Sequence, residues 1–160
     1  MRITALALLA SAASLISAAP AAADTSFVWP LEPRPKVTRP FDPPAEDWLP
    51  GHRGVDLASH PGQTVLAPGD GIVAFAGSVA GKPVVSIDHP GGLRTTYEPV
   101  TATVAAGRRI SAGDPLGTVE PGHEGCTAAA CLHWGLRRDR TTYLDPLPLV
   151  ERPVIRLEPV

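Results

Sequence analysis

The sequence predicts an all-β domain, and two observations support this fold class. Between residues 51 and 143, short runs of β-branched and other apolar residues alternate with turn-forming pairs that contain glycine, proline or aspartate. No stretch of eleven residues in this region keeps a helical apolar period without an interrupting glycine or proline. We therefore expect a compact antiparallel β-sandwich or partly open barrel with little or no helix. The predicted strands lie around residues 64–66, 71–75, 84–87, 93–97, 110 and 116–119.

The first 23 residues predict a secretory signal peptide. Arg2 gives the segment a basic start, an apolar run extends to about Ala18, and small residues at Ala21 and Ala23 suit a cleavage site. An uncleaved membrane anchor is the alternative, but no basic stop-transfer flank follows the apolar run. We therefore expect cleavage after Ala23, export to the cell envelope or medium, and no membrane attachment of the mature chain.

The remaining 137 residues are enough for one modest domain with its own core. The formal charge of the whole chain is −2 at pH 7, which is too small a bias to indicate a nucleic-acid partner. The chain has two cysteines, and export to an oxidising compartment permits a disulfide between them.

The segment from residue 24 to residue 50 is predicted to be an irregular arm that packs on the domain. It contains seven prolines, a density that excludes helix and central strand. Residues 36–39 can still form an edge strand, and Trp29 and Phe41 are expected to anchor the arm. The domain itself is placed at residues 51–150, with one helical turn near its end, followed by a tail at residues 151–160.

A weak internal repeat relates residues 62–73 to residues 106–117. Each copy has glycine, apolar and alanine positions followed by a glycine turn, a pattern that is also common in lipoyl-type and biotinyl-type carrier domains. A carrier needs a lysine at a hairpin tip. The mature chain has only Lys36 and Lys82, and neither lies in such a context, so we do not favour this interpretation.

Two separate motifs supply a set of metal-ligating residues. His52 and Asp56 lie four residues apart across a glycine, and His133 lies far downstream in a short apolar run. Two imidazoles and one carboxylate form the ligand set of a catalytic-type zinc site, which keeps a fourth position open. In an extended strand His52 and Asp56 would be ~13 Å apart, so we expect Gly54 to let the chain bend and bring them together.

The order of these motifs resembles the lysostaphin-type (LytM-like) peptidoglycan zinc metallopeptidases over about residues 27–150. The matching motifs are Gly-His-Arg-Gly-Val-Asp-Leu at 51–57, the glycine-turn segments at 62–73 and 107–117, Val-x-Ile-x-His at 85–89, Thr-Tyr at 96–97 and Leu-His-Trp at 132–134. The resemblance implies a compact antiparallel β-fold with a groove, a bound zinc ion, and the peptide cross-bridges of peptidoglycan as substrate. It also implies that His52, Asp56 and His133 are the three zinc ligands.

Two positions depart from the pattern of active family members. Pro99 stands where a Tyr-x-His motif has its histidine, and Cys131 replaces the first histidine of a His-x-His motif. Those two histidines assist catalysis in the family, and loss of one positioned acid–base group typically costs about 10²–10⁴-fold in rate. Metal binding is therefore better supported than catalysis, and no catalytic residue is assigned.

Several polar residues are candidates to replace the missing histidines. Glu98 is adjacent to the altered position, and His123 and Glu124 lie in the loop before Cys126. We expect His123 and Glu124 to be ordinary polar loop residues rather than substitutes. His60 is expected to be a loop residue. His89 matches a position that the family often fills with histidine without using it as a ligand.

The two cysteines, Cys126 and Cys131, allow two interpretations. A disulfide that closes a small loop before His133 is the favoured one. The alternative makes Cys131 a thiolate ligand beside His52, Asp56 and His133, which would give zinc a closed, structural site.

Two functions remain open from the sequence. The first is an exported zinc domain of the lysostaphin-type family that cleaves peptidoglycan. The second is a catalytically silent member that binds peptidoglycan or regulates another cell-wall hydrolase.

Overall fold

The fold consists almost entirely of β-strands. The computed structural model describes residues 27–46 and 48–151, so the predicted signal peptide and nearly all of the predicted tail lie outside the described residues. Within the described part, the single helical element is a 3₁₀ turn at Leu147–Leu149, as predicted for the end of the domain. None of the described segments forms a helix long and apolar enough to cross a membrane.

The strands follow one another along the chain with short connections. They are β1 (Val37–Arg39), β2 (Gly54–Ser59), β3 (Thr64–Leu66), β4 (Gly71–Val79), β5 (Lys82–His89), β6 (Leu93–Glu98), β7 (Val100–Ala102), β8 (Arg109–Ile110), β9 (Pro115–Val119), β10 (Ala130–Arg138) and β11 (Thr142–Leu144).

The strands form two antiparallel sheets. The larger, eight-stranded sheet has the order β1-β2-β10-β6-β5-β4-β8, with β11 also paired to β10, and the smaller sheet has the order β3-β9-β7. The predicted all-β antiparallel class is confirmed, and the sheets stay open rather than closing into a barrel. The core between them contains apolar side chains from most strands, including Leu57, Val85, Ile87, Leu116 and Leu132.

The proline-rich segment contributes to this core. Residues 37–39 form β1 at the edge of the large sheet, next to β2, where proline-flanked strands are tolerated. Leu31 is fully buried, and the Trp29 ring packs 6.4 Å from the ring of Trp134. Phe41 is also packed against the core. The segment therefore lies on the domain through apolar contacts, although it has little regular structure.

The two copies of the sequence repeat pair with each other. The first copy supplies β3 and β4, the second supplies β8 and β9, and the ladders join β3 to β9 and β4 to β8. The glycine turns also bond reciprocally, since Ala67 N–H donates to the Asp114 carbonyl at 2.8 Å and Gly113 N–H donates to the Ala67 carbonyl at 2.8 Å. Each copy thus supplies hydrogen-bond partners for backbone N–H and C=O groups of the other.

Strand β10 connects the core to the candidate site. It lies between β2 and β6, and its residue His133 is in register with Asp56 on one side and Glu98 on the other. The next residue, Trp134, is fully buried in the core. Because side chains alternate along a strand, burying Trp134 on one face of the sheet directs His133 to the opposite face.

Replacement of Trp134 by alanine tests how far the fold depends on this strand. We expect Trp134→Ala to lower the free energy of unfolding by about 3–5 kcal/mol, because it leaves a large cavity at a fully buried position. Urea unfolding followed by circular dichroism measures the change. Trp48→Ala is the matched control, because Trp48 is 80% exposed and its loss should change the stability by less than about 0.5 kcal/mol. Equal effects of the two substitutions would contradict this account of the core.

Candidate metal centre

The site is centred on one carboxylate oxygen. Asp56 Oδ1 lies 2.9 Å from His52 Nε2, 2.9 Å from His133 Nδ1 and 3.0 Å from His123 Nε2. The nitrogens of His52 and His133 are themselves 3.1 Å apart. Both His52 and Asp56 are buried, with 4% and 1% of their surfaces exposed. The structure therefore brings together all three predicted ligands and adds a third imidazole.

Local chain geometry holds His52 against the strand that carries Asp56. His52 forms an isolated backbone bridge with Asp42, with N–H···O distances of 2.7 and 2.9 Å in the two directions. The chain then bends at Arg53 before β2 begins at Gly54. A Cβ atom on Gly54 would lie 2.5 Å from the Trp134 carbonyl oxygen and 2.7 Å from His133 Nε2. Gly54 is therefore needed for the close approach of β10, and the expected bend lies one residue earlier.

The hydrogen bonds of the histidines fix where their protons lie. His52 Nδ1 is 2.6 Å from the Pro40 carbonyl oxygen, and His123 Nδ1 is 2.9 Å from the Glu124 carbonyl oxygen. A carbonyl only accepts, so both Nδ1 atoms carry the proton in the neutral ring. Both Nε2 atoms then present lone pairs to Asp56 Oδ1, which also only accepts. This arrangement requires a cation, either added protons or a metal ion.

The arrangement fits a zinc ion. Zinc bonds of about 2.0–2.2 Å place tetrahedral ligand atoms roughly 3.3–3.5 Å apart, close to the spacings between His52, Asp56 and His133. These three residues offer ligand atoms that all lie within 4.8 Å of one another. The second oxygen, Asp56 Oδ2, is buried without a hydrogen-bond partner. Each Nδ1 bond to a carbonyl also resembles the outer contacts that orient ligating histidines.

Without a metal, the neighbouring histidines keep the Asp56 carboxylate ionised. Burial by itself would raise the pKa of Asp56, but hydrogen bonds from His123 and His133 and the positive charge of His123 and His52 outweigh burial and hold that pKa far below its usual range. The hydrogen bond to Asp56 likewise raises the pKa of His123 above its ordinary value, against the opposing effect of burial. Asp56 and His123 thus stabilise each other's charged forms.

The cluster lies at the base of an open cleft of about 480 Å³. Its walls include His52, His123 and His133, together with Glu98, whose carboxylate pairs with the Lys82 ammonium at 2.9 Å. The side of the histidine cluster that faces the cleft is therefore accessible to an external molecule, while Asp56 stays buried beneath it.

Comparison with known proteins identifies the family. The model of peptidase family M23 matches residues 50–146, which cover most of the described domain. The chain belongs to peptidase family M23. The resemblance to lysostaphin-type peptidases noted from the motifs is thereby confirmed.

One relative resembles this chain in sequence, and two solved structures share its fold. The uncharacterized protein Rv2891 of Mycobacterium tuberculosis is 54% identical over 151 residues, covering 92% of this chain, which spans 61% of the length of that relative. Csd3 of Helicobacter pylori superposes with a TM-score of 0.63 at 25% identity, over 83% of this chain and 37% of that one. The catalytic domain of the antimicrobial peptidase lysostaphin from Staphylococcus simulans superposes with a TM-score of 0.62 at 24% identity, over 71% of this chain and 90% of that one.

The structure shows the surroundings of the two positions at which the sequence departs from the expected motifs. Pro99 follows β6 and carries no titratable group. Cys131 lies on the same face of β10 as His133, but its sulfur is bonded to Cys126 in a disulfide of 2.07 Å. The predicted disulfide is confirmed, and the alternative in which Cys131 is a thiolate ligand is wrong, because the sulfur is not free.

His123 differs from the sequence-based expectation. We expected an ordinary polar loop residue, but the side chain is turned inward to Asp56 Oδ1, with 11% of its surface exposed. Glu124 fits the expectation, since it is exposed. Glu98 is adjacent to the altered position and shares the cleft, but is paired with Lys82. The one sequence signal for His123 is its position three residues before Cys126, whose disulfide fixes this loop to β10.

The other histidines lie away from the centre. His60 is exposed, and its ring nitrogen Nδ1 lies 3.2 Å from the Pro61 carbonyl oxygen. His89 is buried between the Asp70 carbonyl oxygen at 2.8 Å and the Thr95 hydroxyl at 2.7 Å. Burial lowers the pKa of His89, against the hydrogen bond to Asp70, which favours the neutral ring.

The coupling of His123 to Asp56 predicts a pH-dependent stability of the metal-free protein. Because folding raises the pKa of His123, its contribution is complete below the ordinary histidine pKa of roughly 6.5 and is lost as the pH rises through the folded value. The stability difference between the unmodified chain and His123→Ala, measured by urea unfolding with a chelator present, should be larger at about pH 5 than at about pH 9. A difference that grows with rising pH would contradict the pairing.

Proposed function

We propose that this chain is an exported zinc metallopeptidase domain that acts on bacterial cell-wall peptidoglycan and cleaves its peptide cross-bridges. Membership of family M23 supports the reaction class. The lysostaphin-type motifs support the substrate class, and the signal-like residues 1–23 support export. The chain spans 61% of the length of its mycobacterial relative. The proposal therefore concerns the segment that the two proteins share.

The observation that carries the proposal is the convergence of His52, Asp56 and His133 at the base of an open cleft. These residues come from a bridge before β2, from β2 itself and from β10, so the folded sheet is needed to assemble them. A bound zinc ion supplies a Lewis acid that polarises a peptide carbonyl and makes water more acidic. The three residues would hold the ion, and the backbone carbonyl of Pro40 would orient the ring of His52.

A groove of about 540 Å³ beside His133 supports a peptide ligand. Phe75 and Tyr143 line it, each with 37% of its surface exposed. Ser86 and Thr96 place two hydroxyl groups 3.2 Å apart in the same groove. Apolar faces beside hydroxyl groups suit an extended peptide, which presents both side chains and backbone polar groups. The groove would align such a chain past His133.

A second function is favoured by one specific observation. Neither Pro99 nor the disulfide-bonded Cys131 can donate or accept a proton in catalysis, although active family members have histidines at these positions. A member without those groups can still recognise the same substrate through its groove. The second candidate is therefore a module that binds peptidoglycan or regulates another cell-wall hydrolase.

Digestion of purified peptidoglycan separates the two functions. The purified chain is incubated with peptidoglycan in the presence of added zinc or of a chelator, and the soluble fragments are analysed by chromatography. We expect slow, zinc-dependent release of peptide fragments, because a missing acid–base group typically costs about 10²–10⁴-fold in rate. His133→Ala should reduce the release to the level seen with chelator, because it removes a ligand.

His60→Ala is the matched control, since His60 lies outside the cleft, and it should retain full release. If neither the unmodified chain nor any variant releases fragments but the chain sediments with insoluble peptidoglycan, the chain is a binding module rather than a peptidase. Neither cleavage nor sedimentation would contradict the proposed substrate.

A further inference from the structure

Two arginines lie side by side in the groove that begins at His133. The strand register places four residues in one row across the large sheet, and from β5 to β11 they are Asp88, Arg94, Arg137 and Tyr143. Residues directly opposite each other on neighbouring strands have their side chains on the same face of the sheet. Like charges in that position are destabilising, so the pair of Arg94 and Arg137 requires negative charge nearby.

The chain itself supplies that negative charge to only one of the two arginines. Arg94 donates from Nε and Nη2 to the two carboxylate oxygens of Asp88, at 2.5 and 2.7 Å. Arg137 forms no salt bridge with any described residue; its Nη1 donates to the Arg140 carbonyl at 3.3 Å, and its buried Nε has no hydrogen-bond partner. The adjoining cavity adds Asp139 and Arg140, whose charges cancel. Contacts within the chain therefore leave the charge of Arg137 without a matching carboxylate.

The groove as a whole is positive, although the chain has a formal charge of −2 at pH 7. Three arginines line it, namely Arg53, Arg94 and Arg137. Among the described residues, the one carboxylate in its lining belongs to Glu98, which is paired with the Lys82 ammonium at 2.9 Å. A cleft lined by one sign of charge concentrates ligands of the opposite sign, so this groove favours an acidic ligand.

The spacing along β10 determines where a bound peptide would need its acidic group. His133, Gly135 and Arg137 all line the groove, as alternate residues of one strand do. Gly135 has no side chain, so the floor between the other two residues stays open. Four residues of strand span about 13 Å, and an extended peptide covers that distance with about four residues of its own.

We propose that Arg137 is a specificity-determining residue that binds a carboxylate of the peptidoglycan peptide, about four residues from the bond held at the metal centre. This inference rests on the proposed function, because it takes that peptide as the ligand of the groove. A guanidinium matches a carboxylate both in charge and in its planar pair of donors. Arg94 is already paired with Asp88, so Arg137 makes the contact and Arg94 adds to the positive field.

Sedimentation with insoluble peptidoglycan, measured on ice so that cleavage does not interfere, tests this inference. One preparation is untreated, a second has its carboxylates converted to amides with carbodiimide and ammonia, and a third has its phosphate-linked polymers removed. We expect the unmodified chain to bind the amidated preparation at least about tenfold more weakly than the untreated one, because a charge-assisted hydrogen bond is lost. Removal of the phosphate-linked polymers should have no effect.

Two variants assign this effect to one residue. Arg137→Gln should bind the untreated preparation as weakly as the unmodified chain binds the amidated one, and amidation should weaken it no further. Arg138→Gln is the matched control, because Arg138 is the next residue of β10, is exposed and does not line the groove. It loses the same charge and should bind like the unmodified chain.

Soluble peptides identify the source of the carboxylate. Competition by an alanine peptide with a glutamate side chain and an amidated C-terminus assigns the contact to an acidic side chain. Competition by an alanine peptide with only a C-terminal carboxylate assigns it to the chain end. Competition by neither peptide would overturn the inference.

Equal binding of the untreated and amidated preparations by the unmodified chain would overturn the inference and leave the proposed function intact, and this comparison needs no variant. Equal weakening by Arg137→Gln and Arg138→Gln would also overturn it, since net charge alone would then explain the binding. Loss of binding on removal of the phosphate-linked polymers would make the ligand an anionic wall polymer instead. Sedimentation with none of the preparations, together with no release of fragments, would overturn the proposed function and this inference together.

Discussion

The site depends on the compensation of one buried negative charge. Asp56 is almost entirely buried on β2, and an isolated carboxylate in such a position would be strongly unfavourable. Three imidazole nitrogens within 3.0 Å of its Oδ1 supply the compensation, and each comes from a different part of the chain. The bend before β2, the placement of β10 and the loop that carries His123 all bring a nitrogen to this single oxygen.

The same arrangement explains why a metal suits the site. The Nδ1–H groups of His52 and His123 donate hydrogen bonds to backbone carbonyls. The Nε2 lone pairs of the same rings therefore face a carboxylate that has no proton to donate. Protons can relieve this conflict at low pH, and a divalent cation can relieve it at any pH where the histidines are neutral. Under the proposed function, His52, Asp56 and His133 hold that cation.

Much of the fold and part of the site could be predicted from the sequence. Glycine turns and β-branched runs located most strands, because both features report local backbone preferences. The motif residues His52, Asp56 and His133 indicated their common role because their order matched a family. His123 was considered as a candidate but not favoured, because its position depends on a long-range contact and on the Cys126–Cys131 bond, neither of which produces a local pattern. The sequence could not show whether Gly54 allows a bend of the chain or a close approach of β10, since a glycine permits both. In the structure the bend lies at Arg53 and the close approach at Gly54.

The most direct test of the central claim is a crystal structure of the zinc-soaked chain, with an anomalous difference map recorded at the zinc edge. The account predicts one strong peak between His52 Nε2, Asp56 Oδ1 and His133 Nδ1, with the Cys126–Cys131 disulfide intact. A map with no peak at Asp56 would contradict it, as would a peak bound by a free Cys131 thiolate.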